Sequence, residues 1–513
     1  PANGIMWTLF FAGRDFAPEF TVDGQNIQDY LQSHYLGAVG EIAKAVADQN
    51  HVIGFDSLNE PSAGWIGRPY SQRPLRDVAK YPGGAMGHVA RPGHALAPRD
   101  ALAMAAGQSV NVEYLDISWL RGRLHPQRTD RLNPNGVSIW LPGCASPVRP
   151  AGSGPASARN DLPEDYFQRV GDRTVDFDRD YMFPFVGRVA ETIRAERADW
   201  LIFAEKDAFD TMNHPDWPAA ADPADSVVPA QTANAAHWYD GLSLFLKRYL
   251  YPVTLDVLSG RPVFGRRGIR AMYRRQMDRL REASSRVGTA GIPTLIGEFG
   301  IQFDFNKRRA YRQHERGRRD ADIWKTHVLA LDLMYGALDD LQLSATLWNY
   351  TASNQSGARI GDGWNQEDLS VYCAEHGGGR AEAGFVRPYP RAIAGRLLRT
   401  EFDLRRGVYE LEFEPGLLGR VGVAEDFKPT GAREAGEGSR ATGHTGARER
   451  REVTEVFVPR LQFPDGYRCE VLSGDGECVT DAERQLLVIR TRIADGESAG
   501  ASAPAGRVRL SRR

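Results

Sequence analysis

Two glutamates close apolar runs: Glu60 in VIGFDSLNEP and Glu298 in PTLIGEFG. Each run reads as a strand ending in a carboxylate. Cleavage of a glycosidic bond needs two carboxyl groups facing the anomeric carbon. One protonates the leaving oxygen, and the other attacks or activates water. Glu60 and Glu298 are far apart in the chain, so only a fold that gathers strand ends could unite them. Their neighbours suit the same chemistry. Asn59 can hydrogen-bond a sugar 2-hydroxyl, and Pro61 stops the strand ladder from continuing. HWYDG sets His237 and Tyr239 two residues apart, on one face of an extended chain. There Tyr239 could bond the attacking carboxylate and His237 could lie near the acid. Trp348, in ATLWNYT, ends another strand-like run and offers a flat apolar platform for a sugar ring. Gly297 and Gly300 flank Glu298 and allow close backbone approach.

The elements that must position these residues alternate. Residues 26–48 carry apolar positions at helical spacing and lead into HVIGFDSLNE. Residues 180–199 read as a helix with a proline irregularity, followed by WLIFAE; GIRAMYRRQMDRLREASSRV leads to PTLIGEFG, and DIWKTHVLALDLMYGALDDL to SATLWNYT. Helix-then-strand alternation with apolar strands predicts α/β architecture and a parallel sheet covered on both faces. In a (β/α)8 barrel, catalytic residues sit at the carboxyl ends of the strands. After about Arg399 the pattern changes to short strands separated by Gly and Pro, which predicts a separate antiparallel β-sandwich. The predicted domains are therefore 1–398 and 399–513. Residues 145–161 and 428–452, and the tail from Asp495, lack the apolar content to offset ordering entropy and are expected to be mobile.

The totals exclude several classes. With 64 Lys plus Arg against 66 Asp plus Glu, the net charge is −2, so no cationic surplus exists to bind nucleic acid in bulk. The four cysteines (Cys144, Cys373, Cys469, Cys478) are too scattered for a disulfide framework or a zinc site. Cys469 and Cys478 could bridge across a hairpin, but two reduced thiols are expected. No run of about 18 apolar residues is present to span a membrane.

The motifs LNEP, HWYDG, IGEFG and LWNYT resemble the retaining β-glycosidases that include glycoside hydrolase family 5. TLFFAGRDFAP, GFDSLNEPSAGWIG and NYTASNQ with GDGWNQEDLSVY are similar to its fungal branch acting on glucosylceramide and steryl β-glucosides, relatives of endoglycoceramidase. The resemblance covers most of residues 1–400. It implies a (β/α)8 TIM barrel followed by a C-terminal β-sandwich. It implies Glu60 as general acid/base and Glu298 as nucleophile, in a double displacement with retention. It implies Asn59, His237, Tyr239 and Trp348 around the sugar, with Trp364 and Asn365 beside the pocket. No metal or organic cofactor is implied. The implied substrate is a glycolipid or other glucoside, with peripheral membrane contact. The sequence leaves the location open, and a cytoplasmic, vacuolar or membrane-associated one is expected over secretion.

In that family the NEP glutamate ends the fourth barrel strand. The runs near Gly54, Ile202, Ala236, Leu295 and Thr346 then serve as strands four to eight. Only one long helix and a loop-like opening precede Glu60. Strands one to three are therefore expected to be missing, and the chain is expected to be an N-terminally truncated piece. The long insertion between about Tyr70 and Asp161 is expected to roof the pocket. Two other readings stay open: an endo-β-glucanase acting on polysaccharide, and a truncated sugar- or glycolipid-binding protein without turnover.

Overall fold

The computed structural model describes residues 2–69, 110–118, 123–132, 163, 165–207, 211–218, 226–357, 368–415, 452–474, 476–491 and 506–513. The chain forms two compact units: Pro1–Trp238 with Asp278–Glu298, and Tyr239–Met277 with Phe299–Arg513.

The first unit opens with helix α1 (Ala2–Phe16), where the sequence suggested a loop. Aromatic residues at helical spacing explain it. Trp7 and Phe11, four apart, stack at 5.8 Å, and Phe10 meets Phe185 edge-on at 5.0 Å. Leu9, Phe10, Phe11 and Phe16 are all buried. Helix α2 (Ile27–Ala45) starts where the Asn26 side chain accepts the Gln28 N–H at 3.0 Å. Helix α3 (Phe183–Arg194) follows a π turn at Asp178–Met182 and carries Pro184 in its first turn, which accounts for the irregularity in the sequence. It buries Phe185, Val186, Val189 and Ile193 on one stripe.

Four strands define the sheet of this unit: β1 (Gly54–Asp56), β2 (Leu201–Ala204), β3 (Thr232–Asn234) and β4 (Leu295–Phe299). β1 pairs parallel to β2 with Gly54 opposite Leu201, and β2 pairs parallel to β3 with Ile202 opposite Thr232. Asn234 makes a parallel bridge to Thr294. Beyond it the Gly297 N–H donates to Ala236 O at 3.1 Å, and the Trp238 N–H to Glu298 O at 2.8 Å. The third run, expected near Ala236, therefore begins at Thr232 and its ladder continues to Trp238. Helix α3 precedes β2 in the chain, and helix α4 (Gly265–Ser285) precedes β4, as a parallel sheet requires. Among the described residues no strand pairs with the other edge of β1. Val110–Ser118 and Arg123–Leu132 form an antiparallel hairpin within the expected roof; the remainder of 70–161 lies outside the described residues.

The second unit contains helix α5 (Lys325–Leu341), strand β5 (Ser344–Leu347) and two four-stranded antiparallel sheets. The strands of these sheets are β6 (Tyr389–Ala392), β7 (Gly395–Asp403), β8 (Val408–Pro415), β9 (Glu452–Phe457), β10 (Tyr467–Ser473), β11 (Gly476–Asp481), β12 (Leu486–Thr491) and β13 (Gly506–Arg512). One sheet runs β6-β9-β12-β11, the other β7-β8-β13-β10. Tyr409, Leu411, Phe413, Val508 and Leu510 of one sheet share a core with Val456, Leu487 and Ile489 of the other. The tail beyond Asp495 is thus structured where it is described. In β13, Val508 and Leu510 point inward while Arg509 turns outward to Glu410 at 2.6 Å. Residues 145–161, 428–451 and 492–505 lie outside the described residues, as does Cys144. Cys469 and Cys478 are free thiols, as is Cys373.

A buried ion pair organises this unit near α5. Arg380 is fully buried and holds Asp368 at 3.0 Å and the Tyr311 hydroxyl at 2.9 Å, with its guanidinium 4.1 Å above the Phe303 ring. Removing one partner leaves the other charge buried and unpaired, at a cost of about 3–5 kcal/mol. Arg380→Leu is expected to lower the denaturation free energy by about that amount. The double variant Arg380→Leu with Asp368→Leu is expected to recover part of it. Equal losses in the single and double variants would show that the pair is not what holds the region.

Candidate active site

The carboxyl ends of the four parallel strands converge. Glu60 follows β1 by four residues, Glu205 follows β2 directly, His237 follows β3 by three, and Glu298 lies within β4. His237 is at the centre. Its Nδ1 is 3.0 Å from Glu60 Oε1 and 3.3 Å from Glu298 Oε2, and its Nε2 is 3.2 Å from Glu205 Oε1. The Glu205 side chain is 2% exposed and that of Glu298 14%, whereas Glu60 is 40% exposed and reaches solvent.

Local backbone features make this convergence possible. Glu60 has φ +46°, a left-handed conformation uncommon for a residue with a Cβ. Its N–H donates to Glu205 Oε2 at 3.1 Å. The turn beyond it is tied down in turn: the Ala63 N–H donates to Asp207 Oδ2 at 2.9 Å, and the Trp65 N–H to Thr8 Oγ1 of α1 at 2.8 Å. On β4, Gly297 faces the Ala235 carbonyl so closely that a Cβ there would collide with it, and would lie 3.2 Å from Cδ2 of His237. Glycine is what lets β4 come close enough for Glu298 to reach His237.

Charge explains the grouping. Burial opposes a charged ring at His237. The ion pair with Glu205 and the hydrogen bond with Glu60, together with the field of Glu298, outweigh it and raise the imidazole to about 10 from its ordinary 6.5. The ring is then an imidazolium at neutral pH, able to donate from both nitrogens. Asp56, at the end of β1, is pushed upward by the protein packed around it and then by the charge of Glu205; its surface remains open to solvent, which damps the shift. Tyr35, whose hydroxyl donates to Ser57 O at 2.9 Å, is raised to about 12 by burial and by Asp56 and Glu205. Glu60, His237 and Glu298 also offer ligand atoms within 4.8 Å of one another, the spacing of a metal centre. A cation there would have to displace the proton from His237, so the charge pattern is that of an ion-pair cluster.

Of the residues singled out in the sequence, Glu60, His237 and Glu298 come together. Asn59 is exposed beside Glu60. Tyr239 and Trp348 belong to the second unit, both half-buried, with the Trp348 N–H donating to Phe299 O at 2.9 Å. Trp364 and Asn365 lie outside the described residues. Sequence reasoning missed Glu205 and Asp56. Glu205 ends the apolar run WLIFAE just as Glu60 and Glu298 end theirs, so the same rule applied to every run would have found it.

Residues 387–499, which include most of the C-terminal sheets, match the glycoside hydrolase family 5 C-terminal domain. The chain is 26% identical over 468 residues to a glucosylceramidase of Rhizopus delemar, covering 83% of this chain and 63% of that protein. It is 25% identical over 403 residues to an ergosteryl-beta-glucosidase of Saccharomyces cerevisiae, covering 72% of this chain and 50% of that one. The chain thus spans between half and 63% of the length of these curated relatives. The crystal structure of Cryptococcus neoformans sterylglucosidase 1 superposes over all of this chain and 71% of its own, with a TM-score of 0.71 at 22% identity, which establishes a shared fold. The resemblance to glycoside hydrolase family 5, in its glucosylceramidase and steryl-glucosidase branch, is borne out. Among the described residues no helix is long and apolar enough to cross a membrane.

The raised imidazole has a consequence for stability. Its charge contributes in full below its ordinary value near 6.5, and the contribution is lost as pH rises through about 10. The stability difference between the parent and His237→Gln, measured by chemical denaturation, is therefore expected to shrink steadily from pH 6.5 to 10. A difference that stays flat over that range would mean that the ring is not charged in the folded state.

Proposed function

We propose that the chain carries the active site of a retaining β-glucosidase that hydrolyses glycolipids, with a steryl β-glucoside or glucosylceramide as substrate. Glu298 attacks the anomeric carbon while Glu60 protonates the leaving oxygen; Glu60 then activates the water that releases glucose. The observation that carries this reading is the pair of carboxylates held on one imidazolium, with an oxygen of Glu60 and an oxygen of Glu298 within 4.8 Å. Retaining enzymes space the two carboxyl groups about 5–5.5 Å apart, whereas inverting ones leave about 6.5–9.5 Å for a water. The exposure of Glu60 suits a group that meets the leaving group and then water. In the first step Glu60 enters as its carboxylic acid and the imidazolium faces the Glu298 carboxylate; once Glu60 has given up its proton and Glu298 is esterified, the Nδ1 proton of His237 is left to the Glu60 carboxylate. Asn59, beside Glu60, is the further sugar-binding residue of this unit on this reading; Tyr239, Trp348, Trp364 and Asn365 keep the roles that the family resemblance implies. On this reading β1 to β4 serve as strands four to seven of a (β/α)8 barrel in residues 1–398, followed by the β-sandwich domain of 399–513. The lipid aglycone follows from the relatives named glucosylceramidase and ergosteryl-beta-glucosidase.

A 2-deoxy-2-fluoro-β-glucoside traps the glycosyl ester of a retaining enzyme. Incubation with it is expected to add one fluoroglucosyl mass to the chain, mapped by peptide analysis to Glu298, and Glu298→Gln is expected to take up none. A label on another carboxylate would overturn the assignment of the nucleophile. Ergosteryl glucoside or glucosylceramide is expected to be cleaved and cellulose oligomers left intact; the reverse preference would point to an endo-glucanase.

A further inference from the structure

We propose that Glu205 is a positioning residue of this site, holding Glu60 by its backbone and His237 by its ring. The inference rests on the glycosidase reading for its effect on rate, but not for its geometry.

The Glu205 carboxylate is buried, at 2% exposure, and each oxygen has a different partner. Oε2 accepts the Glu60 N–H at 3.1 Å, and Oε1 lies 3.2 Å from His237 Nε2. Both contacts meet a structural need. A non-glycine residue at φ +46° costs about 1–2 kcal/mol, so something outside the turn must keep Glu60 there. The bond from Glu205 is the contact made by the Glu60 N–H itself, the group whose direction changes most when φ changes. At His237, the ring meets Glu60 and Glu298 only through Nδ1, which leaves Nε2 to decide its protonation state. A neutral imidazole carries one N–H, and with carboxylates on both sides one of its nitrogens would face an anion as an acceptor. Glu205 on the Nε2 side favours the doubly protonated ring, which donates toward Glu205 and toward Glu60 or Glu298 together.

The groups that face this part of the cluster are Glu60, Glu298, Asp56 and Tyr35. Three are carboxyl groups, and Glu60 and Glu298 share with Glu205 the balance of the His237 charge; among the described residues Glu205 is the carboxylate that meets Nε2. Glu205 does not reach the anomeric carbon in the proposed reaction. It acts by fixing the direction of the acid/base carboxylate and the charge of the ring between the two catalytic groups.

The test uses the whole chain with ring-13C histidine, the His237 resonance being identified by its loss in His237→Asn. In the parent, His237 is expected to stay charged through neutral pH and titrate at about 10. In Glu205→Gln its midpoint is expected to fall by about 1–3 pH units. Glu205→Asp keeps the charge but withdraws it by one methylene, and a smaller fall is expected. Whichever variant retains the parent's circular dichroism spectrum carries the result, and an unmoved midpoint overturns the proposal. With an aryl β-glucoside, kcat is expected to fall about 100-fold in Glu205→Gln, with KM little changed, as for a misplaced catalytic group. A folded variant with full kcat and an unaltered pH–rate profile would also overturn it. A parent chain that cleaves no glucoside while its His237 titrates as described would count against the glycosidase reading alone, since the positioning geometry would stand.

Discussion

One buried positive charge, the His237 imidazolium, is the constraint around which the first unit is arranged. Carboxylates do not gather in a protein interior unless something compensates them, because desolvation and mutual repulsion both act against it. Here Glu60, Glu205 and Glu298 all lie within 3.3 Å of one ring. A parallel sheet is well suited to bring this about. Its strands point the same way, so the residues just beyond their carboxyl ends meet at one edge, and β1 to β4 each deliver one member of the cluster. An antiparallel sheet would scatter the same four residues to opposite ends.

The fold meets that constraint with backbone devices rather than long side chains. Gly297 lets β4 approach the Ala235 carbonyl and the His237 ring more closely than any residue with a Cβ. Glu60 turns left-handed, which sends its side chain back toward His237 instead of onward with the strand. The strain of that turn is held from three sides, by Glu205 at its N–H, by Asp207 at Ala63 and by Thr8 at Trp65. Thr8 belongs to α1, so a helix that precedes the sheet in the chain helps fix the loop that carries Glu60.

What was legible in the sequence follows the same physics. Glu60 and Glu298 stood out because each ends an apolar run and is marked by Pro61 or by Gly297, residues with strong backbone consequences. Glu205 ends a similar run but is followed by Lys206, and a Glu-Lys pair looks like solvated surface. Lys206 in fact turns away, to Asp178 at 2.8 Å. Helix α1 was hidden by its glycines and aromatic run, which resemble a loop until Phe185 and Phe177 are there to receive them. Strand β13 was hidden by arginines, whose outward alternation is itself the strand signal once Val508 and Leu510 are read as the inward set. The two sheets of the second unit were legible because period-two apolar runs separated by Gly and Pro have few other solutions.

The count of charges at the cluster bears on the chemistry it favours. Four carboxyl groups, those of Asp56, Glu60, Glu205 and Glu298, surround one cation. Unless protons are taken up, the site is negative by several units. Asp56 is the carboxyl pushed upward, by the packing around it and then by Glu205, so it is the place where a proton relieves repulsion at least cost. On the proposed reaction Glu60 is the group that exchanges protons with the leaving group and with water, and its side chain reaches solvent. What remains is an excess of negative potential around the cluster, where the proposed reaction would place the sugar ring. Positive charge develops on a glycosyl group as its bond to the aglycone breaks, and fixed negative groups already aimed at that point stabilise it without reorganising. The same surplus that makes the cluster costly to assemble is therefore what suits it to an oxocarbenium-like transition state.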